Sequence, residues 1–144
     1  MKRRSIATRL APLGAALILT ACGGAVADEY VIEEQPYALE TVEGQEVLRV
    51  ILSDAAAEHI GIETTSVEQR GPNLVVPYEA VYIDSHGEFW VYTNPETLVY
   101  VRAPIEIVEE TSTEAILADG PPAGTQVVTV GVPELYGAEK EFGT

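Results

Sequence analysis

A small, mainly β domain, barrel- or sandwich-like with one short helix, is the fold class that the sequence predicts. Three observations lead there. Strand signals recur about every 8 to 12 residues from Val75 onward. Clusters of Gly, Pro, Asn and Asp separate them, so each run ends before a helix could be sustained. "SDAAAEHIG" carries a start and a stop signal for one short helix. There is no internal repeat and no heptad run that would make a coiled coil.

The ordered part, expected over residues 47–137, opens with "VLRVIL". Leu48, Val50 and Leu52 alternate with Arg49 and Ile51, the pattern of a half-buried strand. Ser53 then offers a hydroxyl to cap a helix, Asp54 suits its positive end, and Gly61 can take the left-handed stop. These signals predict a helix of about two turns. "IETTSVEQ" returns to strand character through Thr64, Thr65 and Val67.

From Val75 the chain reads as consecutive β-structure. "AVYIDSHGEFWVYT" predicts a hairpin turning at Ser85-His86-Gly87, with Gly87 free to adopt positive φ. "NPET" reads as a turn, and "LVYVRAPIEIVEE" as strand broken near Pro104. "TEAILA" is a further strand, and "DGPPAGTQVVTVG" a turn followed by a Val-rich strand. Residues 138–144 read as a C-terminal tail.

Ahead of this domain, residues 1–21 read as a lipoprotein signal peptide. Lys2, Arg3, Arg4 and Arg9 form its basic region, and "LAPLGAALILTA" is its apolar core. The small residues of "LTAC" lead into Cys22, the pattern of a lipobox, so Cys22 is expected to carry the lipid. Residues 22–46 then read as a flexible, disordered acidic linker. Its Glu33–Glu34 pair admits two readings, a cation contact or an ordinary solvated linker.

Charge excludes some functions. The chain carries −15, and losing four of its eight basic residues with residues 1–21 leaves −19. Such a surface repels nucleic acid and anionic headgroups, so the acyl chains would hold the protein at the membrane. Location in the cell envelope, facing the periplasm or exterior, follows, with inner or outer membrane left open. Cys22 is the only cysteine, so stability rests on packing without disulfides.

Chemistry is sparse. His59 and His86 stand apart, with no HExxH spacing and no cysteine to complete a zinc set. Met1 is the only methionine, so no thioether metal site is expected. No GxSxG is present, and Ser85-His86 are neighbours in a turn rather than partners in a triad. The prolines of "GPPAG" remove donors that a phosphate loop needs. No enzyme, metal or cofactor is expected. The aromatics are more suggestive: Tyr82, Trp90 and Tyr92 crowd the hairpin with His86 at its tip. They form either core and cross-strand pairs or a partner-binding face.

Two stretches resemble the periplasmic adaptor subunits (membrane fusion proteins) of resistance-nodulation-division and ABC-type efflux systems. "VILSDAAAEHIGIETTSVEQ" looks like the opening segment of many adaptors, with its "IGI-T--V". "LVVPYEAVYIDSHGEFWVYT" through "VRAPIEIVEETSTEAILADGPPAGTQVVTVGVPEL" looks like the closing part of their membrane-proximal domain. Ala115 to Leu117, Gly120, Gly124, Val127, Val128 and Gly131 occupy the positions of that ending, with "ADG" where the family has "GL".

In full-length adaptors a barrel, a lipoyl-like domain and a helical hairpin lie between these stretches. The resemblance therefore implies an adaptor reduced to its membrane-proximal domain, in which the two stretches close on each other. It further implies a non-catalytic, lipid-anchored protein that docks on or modulates a membrane transporter. Tyr82, His86, Trp90, Tyr92 and the acidic surface would meet the partner. The alternative is a free-standing lipoprotein binding a ligand or a divalent cation such as Ca²⁺. A hydrolase with an unrecognised site is a third reading.

Overall fold

The structure is a computed structural model that describes residues 35–44 and 47–141. The signal peptide, Cys22 and residues 22–34 of the linker lie outside the described residues. The described chain begins with β1 (Tyr37–Thr41), β2 (Leu48–Leu52), α1 (Asp54–Ile60), β3 (Glu63–Ser66) and β4 (Glu68–Arg70). After β5 (Asn73–Pro77), a 3₁₀ turn at Tyr78–Ala80 leads into β6 (Tyr82–Ile83) and β7 (Phe89–Glu96). The chain closes with β8 (Val99–Pro104), β9 (Glu106–Glu110), β10 (Glu114–Asp119), β11 (Gln126–Val130) and α2 (Val132–Glu141).

The strands form two antiparallel sheets. The larger has the order β1-β2-β8-β7-β11-β3 with β6 added on β7, and the smaller has the order β4-β5-β10-β9. The protein is therefore mainly β, as its alternating pattern requires, but the sheets pack as layers and do not close into a barrel. Chain that would otherwise run on as one long strand turns a corner twice between sheets. Val67 separates β3 from β4, and Ile105 separates β8 from β9; both are buried apolar residues plugging the space between the layers.

Two cores result. Val67, Val76, Val91, Leu117 and Val127 pack between the sheets. Val50, Tyr92, Tyr100, Val128 and Leu135 pack between the larger sheet and the helices. β7 belongs to both, because successive side chains point to opposite faces: Val91 enters one core and Tyr92 the other, each 0 % exposed. A helix layer, a large sheet and a small sheet thus lie in sequence.

α1 forms where its caps place it. The Ser53 hydroxyl accepts from the Ala56 N–H at 3.2 Å, and Gly61 sits at φ +72°, donating back to the Ala57 carbonyl. The early strand–helix–strand unit does not stand apart. β2 pairs with β8, placing Val50 opposite Tyr100, and β3 pairs with β11, placing Thr65 opposite Val127.

Three expectations need correction. The linker does not extend to residue 46, since β1 forms within it by pairing Leu39 with Val50. The turn expected at "NPET" lies later, at Thr97-Leu98, because β7 continues through Pro95 to Glu96. Asn94 instead staples that turn, its side-chain amide donating to the carbonyls of Glu96 and Val99. Finally, residues 138–141 are the last turn of α2 rather than tail, so the described residues hold two α-helices.

Arg70 on β4 reaches across β5 to grip Glu114 on β10, both guanidinium N–H···O distances being 2.9 Å. The hydrogen bonds from Arg70 hold the Glu114 carboxyl below its ordinary range. A carboxyl depressed on folding stabilises above its unfolded pKa and loses that contribution as pH falls through the folded value. Arg70→Met should therefore flatten the acid limb of the stability curve below pH of about 5. Urea titrations of both proteins across that range would show it, and parallel curves would rule the pair out as a contributor.

Candidate functional site

The hairpin of β6 and β7 is organised by a carboxylate that the sequence pattern did not single out. Asp84 Oδ1 accepts from the backbone N–H of His86 at 2.8 Å and of Glu88 at 3.0 Å. Its Oδ2 accepts from the Trp90 indole at 3.2 Å. Burial pushes the Asp84 carboxyl upward, but these three donors outweigh it and hold it below the ordinary range. Gly87 at φ +82° completes the turn expected there. Asp84→Ala removes every one of those acceptors. Since Trp90 is the only tryptophan, the substitution should redshift its emission and raise acrylamide quenching. An unchanged spectrum would mean that packing alone holds the indole.

Beneath the hairpin lies a buried polar cluster. Tyr92 donates to Glu139 Oε2 at 2.7 Å, joining the centre of the large sheet to the last turn of α2. Arg102 Nε approaches Glu139 Oε1 at 2.9 Å, yet its N–H is not aimed at the oxygen, so the contact is ionic. The guanidinium also stacks over Trp90, 4.5 Å from the ring centre. Tyr82 stacks on Tyr92 with ring centres 5.3 Å apart, and Tyr136 of α2 tilts against it at 5.2 Å.

Burial pushes the Tyr82 phenol up to about 12, while the nearby Tyr92 and Arg102 pull the other way. Burial and the adjoining Glu139 drive the Tyr92 phenol higher still. Both phenols therefore stay protonated at neutral pH. The cluster is a clamp that fixes α2 on the sheet, with both charges paired.

The four residues expected to meet a partner therefore separate. Tyr92 is fully buried and so cannot form part of a partner-binding face. Tyr82 and Trp90 are half-buried, held by the stack and by Asp84. His86 alone projects, its side chain 76 % exposed at the tip. The exposed apolar residue of the hairpin is Ile83, opposite Phe89 and 57 % exposed, which alternation along β6 could have identified.

A depression with a volume of ≈ 690 Å³ lies elsewhere, between α1 and α2. α2 contributes Glu134, Gly137, Ala138 and Glu141, positions i, i+3, i+4 and i+7, which places all four on one face. α1 contributes Ala55, Ala56, His59 and Ile60, and Leu52 and Tyr37 complete the walls. Gly137 and the alanines leave space between the helices unfilled. At one end the Tyr37 hydroxyl donates to the Glu141 carboxylate, which raises the phenol above its ordinary value. No local pattern announces this groove, because half of it belongs to the unexpected α2.

Among the described residues, no three His, Cys, Asp or Glu side chains come together in a cluster able to hold a metal ion. In comparisons with known proteins, the chain matches no family model, no curated protein and no solved structure.

Proposed function

We propose that the protein is a lipid-anchored extracytoplasmic adaptor that docks on a membrane transporter of the efflux type and does no chemistry of its own. The observation that supports this reading is the closure of the two adaptor-like stretches into one body. The early stretch supplies β2 and β3, which add to β8 and β11 of the late stretch, with nothing inserted between them. The cluster of phenols, carboxylate and guanidinium supports the non-catalytic part, since it joins elements and leaves no nucleophile beside a base. Docking uses the exposed hairpin tip, with Ile83 and His86 foremost, and the acidic surface guides encounter with a basic patch.

The test is a pull-down from solubilised membranes with the tagged, full-length lipoprotein. A polytopic transporter should co-purify, and Ile83→Glu should reduce its recovery. A correctly lipidated protein that recovers no transporter component would overturn the reading. Cys22→Ser should release the protein from the membrane and abolish recovery, because a stable anchor needs buried acyl chains.

A second reading, a free-standing ligand-binding lipoprotein, is favoured by the groove between α1 and α2. Its volume of ≈ 690 Å³ falls within the range of about 300–1,000 Å³ typical of small-molecule sites. The form of this reading that takes a divalent cation has no such support among the described residues.

A further inference from the structure

We propose that the groove between α1 and α2 is a binding site for an amphipathic organic cation, an apolar body carrying an ammonium group. The inference rests on the ligand-binding reading of that groove and adds the chemical class of the ligand. It does not require that the protein dock on a transporter.

The walls define the body of the ligand. Leu52, Ala56, Ile60 and Ala138 present hydrocarbon, and the small residues leave open depth. Gly137 marks the open side: a Cβ built there would meet nothing within 4 Å. A flat or branched apolar group fills such a space, gaining from the water it displaces.

The rim defines the charge. Glu134 and Glu141 stand two helical turns apart on α2, about 10.5 Å along its axis at 1.5 Å per residue. No Lys or Arg lines the groove among the described residues. The chain as a whole carries −15, so the field at the groove favours a cation over an anion. Tyr37 adds an aromatic ring beside Glu141. An ammonium placed at this rim meets a carboxylate at the edge of the apolar walls. The Tyr37 hydroxyl occupies one acceptor position of Glu141, and a carboxylate has about four. The same rim repels fatty acids and other carboxylates of similar shape.

A matched series of probes tests this on the full chain carrying Cys22→Ser, which leaves every described residue in place. The probes are 2-naphthylmethylammonium, the neutral 2-naphthylmethanol and the anionic 2-naphthoate, followed through the amide NMR signals of Ala55, Ala56 and Gly137. The ammonium probe should saturate these signals and bind about three- to ten-fold tighter than the alcohol, from two exposed carboxylates. The naphthoate should not saturate. Raising salt should narrow the gap between cation and alcohol. Glu134→Gln with Glu141→Gln should erase the preference for cation while leaving the affinity of the alcohol unchanged.

Gly137→Leu provides the blocking control. It fills the groove from a position with free space and improves helix propensity, so the chain should fold while binding of every probe is lost. Saturation by all three probes with equal affinity would overturn the assigned class and keep the ligand-binding reading. No saturation by any probe would overturn both. So would shifts at these amides that appear only when residues 22–34 are deleted, because the groove would then belong to the chain's own segment.

Discussion

Arg102→Met is expected to destabilise the protein by about 3–5 kcal/mol. The methionine preserves length against Trp90 but leaves Glu139, whose side chain is only 6 % exposed, as a buried carboxylate with no counter-ion. Such a charge cannot recover its hydration without moving α2 away from the sheet. Replacing the whole cluster is a different matter. Arg102→Met, Glu139→Leu and Tyr92→Phe together remove the ion pair and the phenol that donates to it. Apolar replacement of a buried pair is often neutral or stabilising, so the triple variant should regain most of the loss. Urea unfolding followed by Trp90 emission and by circular dichroism reads both outcomes. A coupling between Arg102 and Glu139 of about 0.5–3 kcal/mol is expected in the double-mutant cycle. Strict additivity would show that the two charges are neighbours without being partners.

Gly131→Ala should cost about 2–6 kcal/mol, combining about 1–3 for backbone strain with about 1–3 for overcrowding. Gly131 joins β11 to α2 at φ +99°, a conformation that a side chain strains. A Cβ there would also lie 2.3 Å from Ile62 Cδ1 and 2.9 Å from Ile60 Cγ2. The Ile62 tip can swing aside; the Ile60 branch, next to the backbone of α1, has less freedom. The variant should therefore loosen both helices together, which hydrogen exchange at the amides of α1 and α2 would register. Loss of protection confined to α2 would show that Ile60 and Ile62 adjust at little cost.

The sequence was readable where its signals are local. Ser53 and Gly61 mark the ends of α1 because a cap is set by the chemistry of one residue. The hairpin was readable for the same reason, with Gly87 at its tip. α2 was missed although its signs are present: Pro133 in the first turn, Glu134 near the start and Lys140 near the end. Gly137 and the charged residues after it resemble a tail, and only burial of Leu135 and Glu139 against Tyr92 reveals a helix. The Thr97-Leu98 turn was misplaced because Leu98 adopts φ +62°, where a glycine or asparagine is the usual signal. Its carbonyl accepts from the Leu52 N–H at 2.9 Å, so the unusual backbone serves the contact with β2.

β7 shows why the aromatic face could not be assigned from alternation. Period two separates Trp90 and Tyr92 from Phe89 and Val91, but it cannot say that both faces of the strand are covered. The candidate groove needed coordinates for a further reason. Its two walls come from residues nearly eighty positions apart, and no local pattern links Ala56 to Glu134.

The hydrogen bond between Tyr37 and Glu141 joins the first strand of the described body to its last helical turn. The polypeptide between them is thus nearly a closed ring, whose two open ends a short glycine-rich splice could bridge. Cutting the ring instead between Ser85 and Gly87 would put at risk only the Tyr82–Trp90 and Ile83–Phe89 pairs and the turn hydrogen bonds around Asp84. A circular permutant begun at that tip would inherit all the remaining strand pairings in a new order of synthesis.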